Sequence, residues 1–341
     1  MIQIGDLELR VPVLQGGMGV GVSLHKLAGA VAAAGGVGVI STAQIGFRDP
    51  DFAKHPIECN LKAIGEEIKK AREIAKGGII GVNIMVVTRR YEEYVKAAVK
   101  AGVDMIISGA GLPMELPALV EGSKVMLLPI VSGKRALKVI LSYWKKHYNR
   151  KPDGVVVEGP KAGGHLGFKR EELATLTKEG YDEEIRQIIE LANTEDIPVF
   201  VAGGVYTRED LLHYRTMGAA GVQMATRFVT TYECDASDAY KQAYLEASLE
   251  DIEIVSSPVG MPGRAIHNAF LERVQKGEKF FSPCKQCITT CDPAVTPYCI
   301  TQALINAVEG RVQDGLLFCG ENAYRADHIE HVSEIMEEFV L

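Results

Sequence analysis

Short, continuous runs of apolar and mainly β-branched residues recur through the first two thirds of the chain, and glycine or proline bounds most of them. Apolar residues within the runs do not alternate with polar ones, which is typical of parallel strands covered on both faces. The eight runs are VPVLQGG from Val11, GVGVIST from Gly36, GIIGVNIMV from Gly78, VDMIISGAG from Val103, KVMLLPIVS from Lys124, DGVVVEG from Asp153, IPVFVAGG from Ile197 and AAGVQMATRF from Ala219. We therefore expect eight parallel strands.

Segments with helical apolar spacing separate these runs. SLHKLAGAVAAAG and RYEEYVKAAVKAG each end at a glycine, the usual residue just past a helix C-terminus. DEEIRQIIELANTED and TREDLLHYRTMGA carry acidic residues in the first turn, where the helix dipole favours negative charge. The alternation predicts an α/β protein with a TIM-like (β/α)8 barrel. A doubly wound open sheet is the alternative, and it is disfavoured because QGGMGVG lacks the G-x-G-x-x-G spacing.

The alternation of strands and helices stops after Phe228. DAYKQAYLEASLEDIE, AIHNAFLERVQKGE and TPYCITQALINAVEG have the spacing of helices, and the final ADHIEHVSEIMEEFVL is a candidate for the helix that closes the barrel. We therefore expect a barrel built from residues 1–227 and about 320–341, and a smaller, mainly helical second domain at about 228–319.

Composition and charge narrow the class of protein. A chain of 341 residues with 47% hydrophobic content can bury a large core, and its 24% charged content argues against disorder. The net charge is −7 and the only strongly basic segment is Lys145–Lys151, so nucleic acid is disfavoured as a partner. The N-terminus lacks the pattern of a signal peptide, and glycines interrupt the longest apolar stretch. We therefore expect a cytoplasmic protein that does not bind membranes.

Small residues follow the last two predicted strands. Gly203 and Gly204 end the seventh run, and Ala225 and Thr226 lie near the end of the eighth. In (β/α)8 barrels a phosphate group commonly binds beyond these strands, and accessible backbone N–H groups are suited to hold it. The alternative is that the glycine pair forms only a tight turn. The two strand ends together favour a phosphate site.

The ends of the first and third runs suit a flat ring. Gly17 allows close approach to the backbone, and the side chain of Met18 can cover one face of a ring. Asn83 places a polar amide within an apolar run, where it requires hydrogen-bond partners from the barrel mouth or from a heterocycle. These features together predict a flat, phosphorylated heteroaromatic cofactor, and FMN fits better than a dinucleotide.

The segment EGPKAGGHLGF, from Glu158 to Phe168, contains the one histidine of eight that lies among glycines. Gly163, Gly164 and Gly167 allow the backbone to bring His165 close to a bound ring. An imidazole takes or gives a proton near neutrality. The residues alone leave two interpretations open, an active-site histidine and a turn histidine satisfied by the backbone.

Four of the seven cysteines have the spacing C-x2-C-x3-C-x7-C, at Cys284, Cys287, Cys291 and Cys299. Four thiolates are able to hold an iron–sulfur cluster or a tetrahedral zinc ion. The spacing matches neither the bacterial ferredoxin run nor the paired-knuckle zinc pattern. The alternative is a set of buried thiols in a helical domain, with or without one redox pair.

Five motifs occur in an order that resembles the nitronate monooxygenase family, formerly called 2-nitropropane dioxygenases, and the related flavin-dependent enoyl-acyl-carrier-protein reductases. The motifs are PVLQGGMG, GVNIMV, EGPKAGGHLG, VAGGV and GVQMATRF, and the resemblance runs from Val11 to about Asn268. It implies an FMN-binding TIM-like barrel with a smaller, mainly helical domain. The cysteine cluster is a departure from the family pattern.

The resemblance also implies roles for individual residues, and His165 matches the active-site histidine of the family. The residues implied for cofactor binding are Gly17, Met18 and Asn83 at the isoalloxazine ring, Glu158 and Gly163 in the pocket lining, and Gly203, Gly204, Ala225 and Thr226 at the phosphate, with Gln223 nearby.

The activity that the resemblance implies first is oxidation of alkyl nitronates by O2 through the flavin, with His165 as base. The alternatives are an enoyl-acyl-carrier-protein reductase that uses NAD(P)H, an NAD(P)H:quinone or flavin reductase, and a flavin-binding redox sensor. An IMP dehydrogenase-like barrel is disfavoured because no cysteine occurs between Cys59 and Cys234. The expected partners are a small-molecule substrate, either a nitronate or an enoyl thioester, and O2. The sequence leaves the oligomeric state open, with a homodimer as one alternative.

Overall fold

The computed structural model describes residues 2–341, which form thirteen β-strands. In chain order they are β1 (Ile2–Ile4), β2 (Leu7–Leu9), β3 (Val13–Gln15), β4 (Val37–Ser41), β5 (Ile79–Met85), β6 (Met105–Gly109), β7 (Met126–Val131), β8 (Val155–Glu158), β9 (Gly164–His165), β10 (Val199–Ala202), β11 (Gly221–Met224), β12 (Ile252–Ser256) and β13 (Pro262–Ile266).

The same residues form thirteen α-helices. In chain order they are α1 (His25–Ala33), α2 (Pro56–Ala75), α3 (Tyr91–Lys100), α4 (Leu116–Leu119), α5 (Lys134–Tyr148), α6 (Arg170–Thr175), α7 (Lys178–Asn193), α8 (Arg208–Thr216), α9 (Thr226–Val229), α10 (Asp238–Glu246), α11 (Ala269–Gln275), α12 (Ile300–Val308) and α13 (Val332–Glu338).

Eight parallel strands close into a barrel in the order β3, β4, β5, β6, β7, β8, β10 and β11, and β11 pairs with β3 to complete the ring. Each of these strands lies in one of the predicted apolar runs, so the predicted (β/α)8 barrel is confirmed and the open sheet is excluded. Because all eight strands run in the same direction, their C-terminal ends meet at one rim of the barrel.

The opposite end of the barrel is covered by the β1–β2 hairpin. Ile4 and Leu9 of this hairpin are fully buried and pack with interior side chains such as Val37 and Met126 near the first residues of their strands. A second apolar layer lies between the outer face of the strands and the helices. Burial on both faces explains why the strand sequences are continuously apolar.

The last helix of the chain packs beside the first. Val332 and Ile335 of α13 are buried against Leu27 and Val31 of α1. The buried guanidinium of Arg227, just after β11, is held by the carboxylates of Glu330, which precedes α13, and Glu338, the last residue of α13, at 2.7 and 2.6 Å. The C-terminal helix therefore stands where the helix following the eighth strand closes a (β/α)8 barrel.

The segment between α9 and α13 contains three α-helices, α10 to α12, and also a β-hairpin that the apolar spacing did not predict. β12 and β13 pair with each other, and β13 pairs in turn with β9. The expectation of a helix through AIHNAF is wrong for Ala265 and Ile266, which are extended, and α11 begins only at Ala269. The β-branched Ile252–Val255 and the fixed φ of Pro262 favour strands here.

Within residues 2–341, no helix combines the length and the apolar character that crossing a lipid bilayer requires.

Candidate active site

A cavity of about 500 Å³ opens at the rim formed by the C-terminal ends of the barrel strands. Its size is within the range typical of sites for small molecules and cofactors. Every residue that the sequence predicts for catalysis or cofactor binding lies in its lining. These residues are Gly17, Met18, Asn83, Glu158, Gly163, His165, Gly203, Gly204, Gln223, Ala225 and Thr226.

One end of the cavity, which we call the slot, is lined by the backbone of Gly16 and Gly17 and by the neighbouring side chains of Asn83, Gln223 and Ala225. A Cβ at Gly17 would lie 2.5 Å from the Cβ of Asn83, and one at Gly16 would lie 3.1 Å from the Cβ of Ala225. A side chain at Gly17 would therefore require a neighbour to move, and one at Gly16 would be tightly packed. The side-chain Oε1 of Gln223 lies in the same wall, buried and without a hydrogen-bond partner in residues 2–341. A buried acceptor of this kind requires a donor, and a bound group in the cavity can supply one.

A second end of the cavity is formed by the turn after β10. Gly203 and Gly204 have φ angles of +92° and +86°, a conformation that favours glycine. A Cβ at Gly203 would lie 2.9 Å from the carbonyl oxygen of Gly159. The turn therefore brings bare backbone to the cavity surface, next to Thr226 at the start of α9.

A loop from the C-terminal part of the chain covers this end. The Gly320 N–H donates to Oγ1 of Thr226 at 3.0 Å, and the Asn322 side chain donates to the carbonyl oxygen of Gly204 at 2.7 Å. Lys161 and Glu321 pair above them at 3.4 Å. Sequence reasoning missed this cover, because its residues lie about 100 positions from their partners and form no motif with them.

His165 lies in the cavity wall on the short strand β9. Its Nε2 is 2.8 Å from Oγ of Ser257, and the edge of its ring meets Phe318 at a centroid distance of 5.0 Å. Burial lowers the pKa of His165 to about 4, because the low-dielectric surroundings disfavour the charged imidazolium. The imidazole is therefore neutral at neutral pH.

The loop that carries His165 is fixed by the β12–β13 hairpin. The buried guanidinium of Arg264 donates to the carbonyl oxygens of Pro160 and Ala162, at 2.9 and 2.5 Å. The Leu166 N–H donates to the carbonyl oxygen of Pro262 at 2.9 Å. These bonds on both sides of His165 hold the imidazole in place, and sequence reasoning identified neither Arg264 nor Ser257 because no local spacing connects them with the loop.

Glu158 ends β8 and also faces the cavity. Burial raises the pKa of its carboxyl group to about 7, because the loss of water disfavours the ionised form. The group is therefore shared between its protonated and ionised forms near neutrality, and it can donate or accept a hydrogen bond there.

The other seven histidines lie outside the cavity lining. Five of them face carboxylates. The pairs are His25 with Glu67, His213 with Asp182, His267 with Glu253, His328 with Asp327 and His331 with Glu233.

The four clustered cysteines are free thiols, and Cys284 is exposed. Burial raises the pKa of the Cys287 and Cys291 thiols, which favours their protonated forms. Across residues 2–341, no three or more His, Cys, Asp or Glu side chains are arranged so that they could hold a metal ion. An iron–sulfur or zinc site at this cluster, one of the two alternatives left open by the sequence, is therefore not shown.

Comparison with known proteins agrees with the geometry. The family model for nitronate monooxygenase matches residues 3–341. Among solved structures, FabK from Thermotoga maritima aligns with a TM-score of 0.76 and 25% identity, covering 99% of this chain and 94% of that one. Nitroalkane oxidase from Streptomyces ansochromogenes aligns with a TM-score of 0.74 at 20% identity, covering 97% and 95%, and this likeness shows the fold alone.

Two curated relatives extend the comparison. One is (3aS,4S,5R,7aS)-5-hydroxy-7a-methyl-1-oxo-octahydro-1H-indene-4-carboxyl-CoA dehydrogenase from Mycobacterium tuberculosis, 28% identical over 269 residues, which cover 79% of this chain and 66% of the relative. The chain thus spans slightly less than two thirds of that relative's length. The other is a probable nitronate monooxygenase from Staphylococcus saprophyticus, 25% identical over 296 residues, which cover 80% of each chain. With the family model matching nearly its whole length, this chain belongs to the nitronate monooxygenase family.

Proposed function

We propose that the chain is an FMN-dependent oxidoreductase that oxidises alkyl nitronates with O2. One observation carries the proposal: a single cavity joins a backbone slot, a bare glycine turn and a neutral, anchored histidine. The slot could hold the flat ring of a cofactor, and the backbone of the glycine turn could bind its phosphate group. The histidine beside them could contact a substrate that lies on the ring.

The residues present fit FMN. The unpaired Oε1 of Gln223 offers an acceptor to a ring N–H group, and the backbone of Gly17, packed against Asn83, lines the cavity where a ring would lie. Gly203, Gly204 and Thr226 would hold the phosphate group. When bound, FMN supplies an acceptor for electrons from the substrate and a donor of electrons to O2.

The electrostatics favour a substrate that arrives already ionised. A nitronate is the deprotonated form of a nitroalkane, so its oxidation needs no base. Because burial lowers the pKa of His165, its imidazole is poorly suited to remove a proton from a neutral nitroalkane. A neutral imidazole can instead form hydrogen bonds with the nitronate and hold it in position.

A second candidate function is reduction of an enoyl thioester with electrons from NAD(P)H. It is favoured by the apolar part of the cavity wall, where Leu112, Ile130, Leu304 and Phe318 could contact an acyl chain. The similarity to FabK and to a dehydrogenase named for a carboxyl-CoA substrate points in the same direction.

One anaerobic experiment separates these functions. The purified protein, loaded with FMN, is mixed with ethylnitronate, NADH or NADPH, and bleaching of the flavin absorbance is followed. Rapid bleaching by the nitronate alone supports nitronate oxidation. Bleaching only by a nicotinamide, followed by reoxidation with crotonyl-CoA, would replace the first proposal with the second.

The remaining outcomes of the same experiment are also informative. Bleaching by a nicotinamide and reoxidation only by a quinone would indicate a quinone reductase. No bleaching by any of these reductants would reject all three activities and favour a flavin-binding redox sensor.

A further inference from the structure

The hydroxyl group of Ser257 occupies a defined place between two partners. Its Oγ lies 2.8 Å from Nε2 of His165, and the Val259 N–H approaches the same oxygen at 3.4 Å. Ser257 is buried, at the end of the β12–β13 hairpin that also pairs with β9. Its backbone is fixed by bonds with Met261 and Gly260.

The positions of the hydrogen atoms follow from these contacts. The Val259 N–H is a donor, so the Ser257 oxygen acts as the acceptor in that contact. Within residues 2–341 the Ser257 hydroxyl has no acceptor other than Nε2 of His165. A buried hydroxyl hydrogen needs an acceptor, and this need is met when the hydroxyl donates to an Nε2 that carries no proton.

This arrangement places the proton of the neutral His165 imidazole on its second ring nitrogen, Nδ1. A neutral imidazole has one protonated nitrogen, and when Nε2 is an acceptor the proton resides on Nδ1. No described residue forms a hydrogen bond with Nδ1, while His165 itself lines the cavity. The Nδ1–H group is therefore available to a bound molecule.

We propose that Ser257 is a positioning residue that fixes His165 in its Nδ1–H tautomer, so that the neutral imidazole presents a hydrogen-bond donor to an oxygen atom of the substrate. The inference rests on the proposed function for the identity of that oxygen, which belongs to the nitro group of a nitronate. In the second candidate function it belongs to the thioester carbonyl. Both oxygens are acceptors, and the same donor serves either one.

This assignment makes His165 a donor, in contrast to the base role that the family resemblance implies. Its low pKa supports the assignment, since a neutral imidazole cannot donate from both nitrogens and Ser257 selects which one does. Because the Nδ1–H group of His165 is already oriented, it can donate to a negatively charged oxygen without rearrangement of the site.

The tautomer is measured directly by NMR on protein labelled with 15N-histidine, with and without FMN, and the His165 signal is assigned by its loss in His165→Gln. We expect an Nδ1 shift typical of a protonated nitrogen and an Nε2 shift typical of an unprotonated one. The reverse pattern in the wild-type protein would overturn the inference. This measurement does not depend on which substrate the enzyme oxidises.

Two variants add a functional readout. Ser257→Ala should shift His165 toward the Nε2–H tautomer and lower kcat about tenfold, the loss expected for one orienting hydrogen bond, while FMN content stays unchanged. Ser257→Thr keeps the hydroxyl and should retain both the tautomer and most of the turnover. A Ser257→Ala protein with the wild-type tautomer would overturn the positioning role. An Nδ1–H signal in a protein that does not react with nitronates would refute the proposed function alone.

Discussion

The loop around His165 and the cysteine segment at 280–299 differ in how the surrounding structure positions their reactive side chains. In both segments the sequence indicated possible chemistry, through a histidine among glycines in the first and four closely spaced cysteines in the second. In the first, Arg264 and strand β13 hold the backbone so that the imidazole lines the cavity. In the second, Ile288 bridges to Thr88 and Arg89 bonds with the segment, yet the thiols form no metal-binding group among the described residues. Phe281 in this segment remains 84% exposed.

The comparison teaches that spacing alone does not create a site. The His165 loop gains a function from backbone bonds that come from elsewhere in the chain, and these bonds fix the direction of one side chain. The cysteine segment is connected to the barrel chiefly through backbone groups near Ile288. Beyond the effect of burial, its thiols lie near enough to one another to raise each other's pKa, but among residues 2–341 they form no metal-holding group.

The largest expected effect comes from removing the imidazole. His165→Ala should lower the turnover of ethylnitronate roughly 10²–10³-fold, as for loss of a preorganised donor, while FMN remains bound. Steady-state kinetics and the flavin spectrum measure the two quantities. The control is His213→Ala, which removes a histidine paired with Asp182 outside the cavity and should leave turnover within about twofold. Equal turnover in His165→Ala and wild type would place the histidine outside the reaction.

A smaller effect is expected from filling the slot. In Gly17→Ala the new Cβ would meet the Cβ of Asn83 at 2.5 Å, so one wall must move, at a cost of about 1–3 kcal/mol. FMN affinity should fall roughly tenfold, as measured by fluorescence titration of the released flavin.

The matched control for this substitution is Gly65→Ala, on helix α2, where no neighbour lies within 4 Å of the new Cβ. It should keep FMN affinity and stabilise the helix by about 0.5–1 kcal/mol. Similar losses of FMN in the two variants would show that the slot does not receive the ring.

A pH-dependent change in stability is expected at Glu158. Its folded-state pKa of about 7 is above its unfolded value, so the folded state retains a proton that the unfolded state has lost. Its contribution to stability is therefore present at low pH and is lost as pH rises through about 7. Glu158→Gln should be stabilised relative to wild type more at pH 8 than at pH 5, as measured by urea unfolding. Glu121→Gln, at an exposed position, is the control, and equal differences at both pH values would contradict the prediction.

The smallest effect is expected in the cysteine segment. The double variant Cys284→Ser and Cys291→Ser should keep the flavin spectrum and the turnover of wild type, because neither thiol lines the cavity. Metal analysis of anaerobically purified wild-type protein is the accompanying measurement. Stoichiometric iron or zinc that disappears in the double variant would restore the metal site and remove the contrast between the two segments.

Sequence patterns predicted those parts of the molecule in which neighbours along the chain share a surface. The eight barrel strands and the residues at their C-terminal ends follow from local apolar runs and from the direction of parallel strands. The barrel geometry then brings Gly17, Asn83 and Gly203 to one rim, although they are far apart in sequence.

The parts that could not be predicted depend on distant pairing. The β12–β13 hairpin is stabilised by β9, about 100 residues earlier, and its own spacing is ambiguous between helix and strand. Ser257 and Arg264 acquire their roles only through this pairing. The cysteine spacing is also a local pattern, and within residues 2–341 no metal-holding group accompanies it.

The cover over the glycine turn has a consequence for the order of assembly. Gly320 and Asn322 follow nearly the whole barrel in the chain, and they contact Thr226 and Gly204 directly. During synthesis the barrel strands emerge before the residues that complete this end of the cavity. For FMN bound as proposed, we expect the nascent chain to retain the cofactor less tightly than the finished one, so that flavin loading follows synthesis of the C-terminal loop.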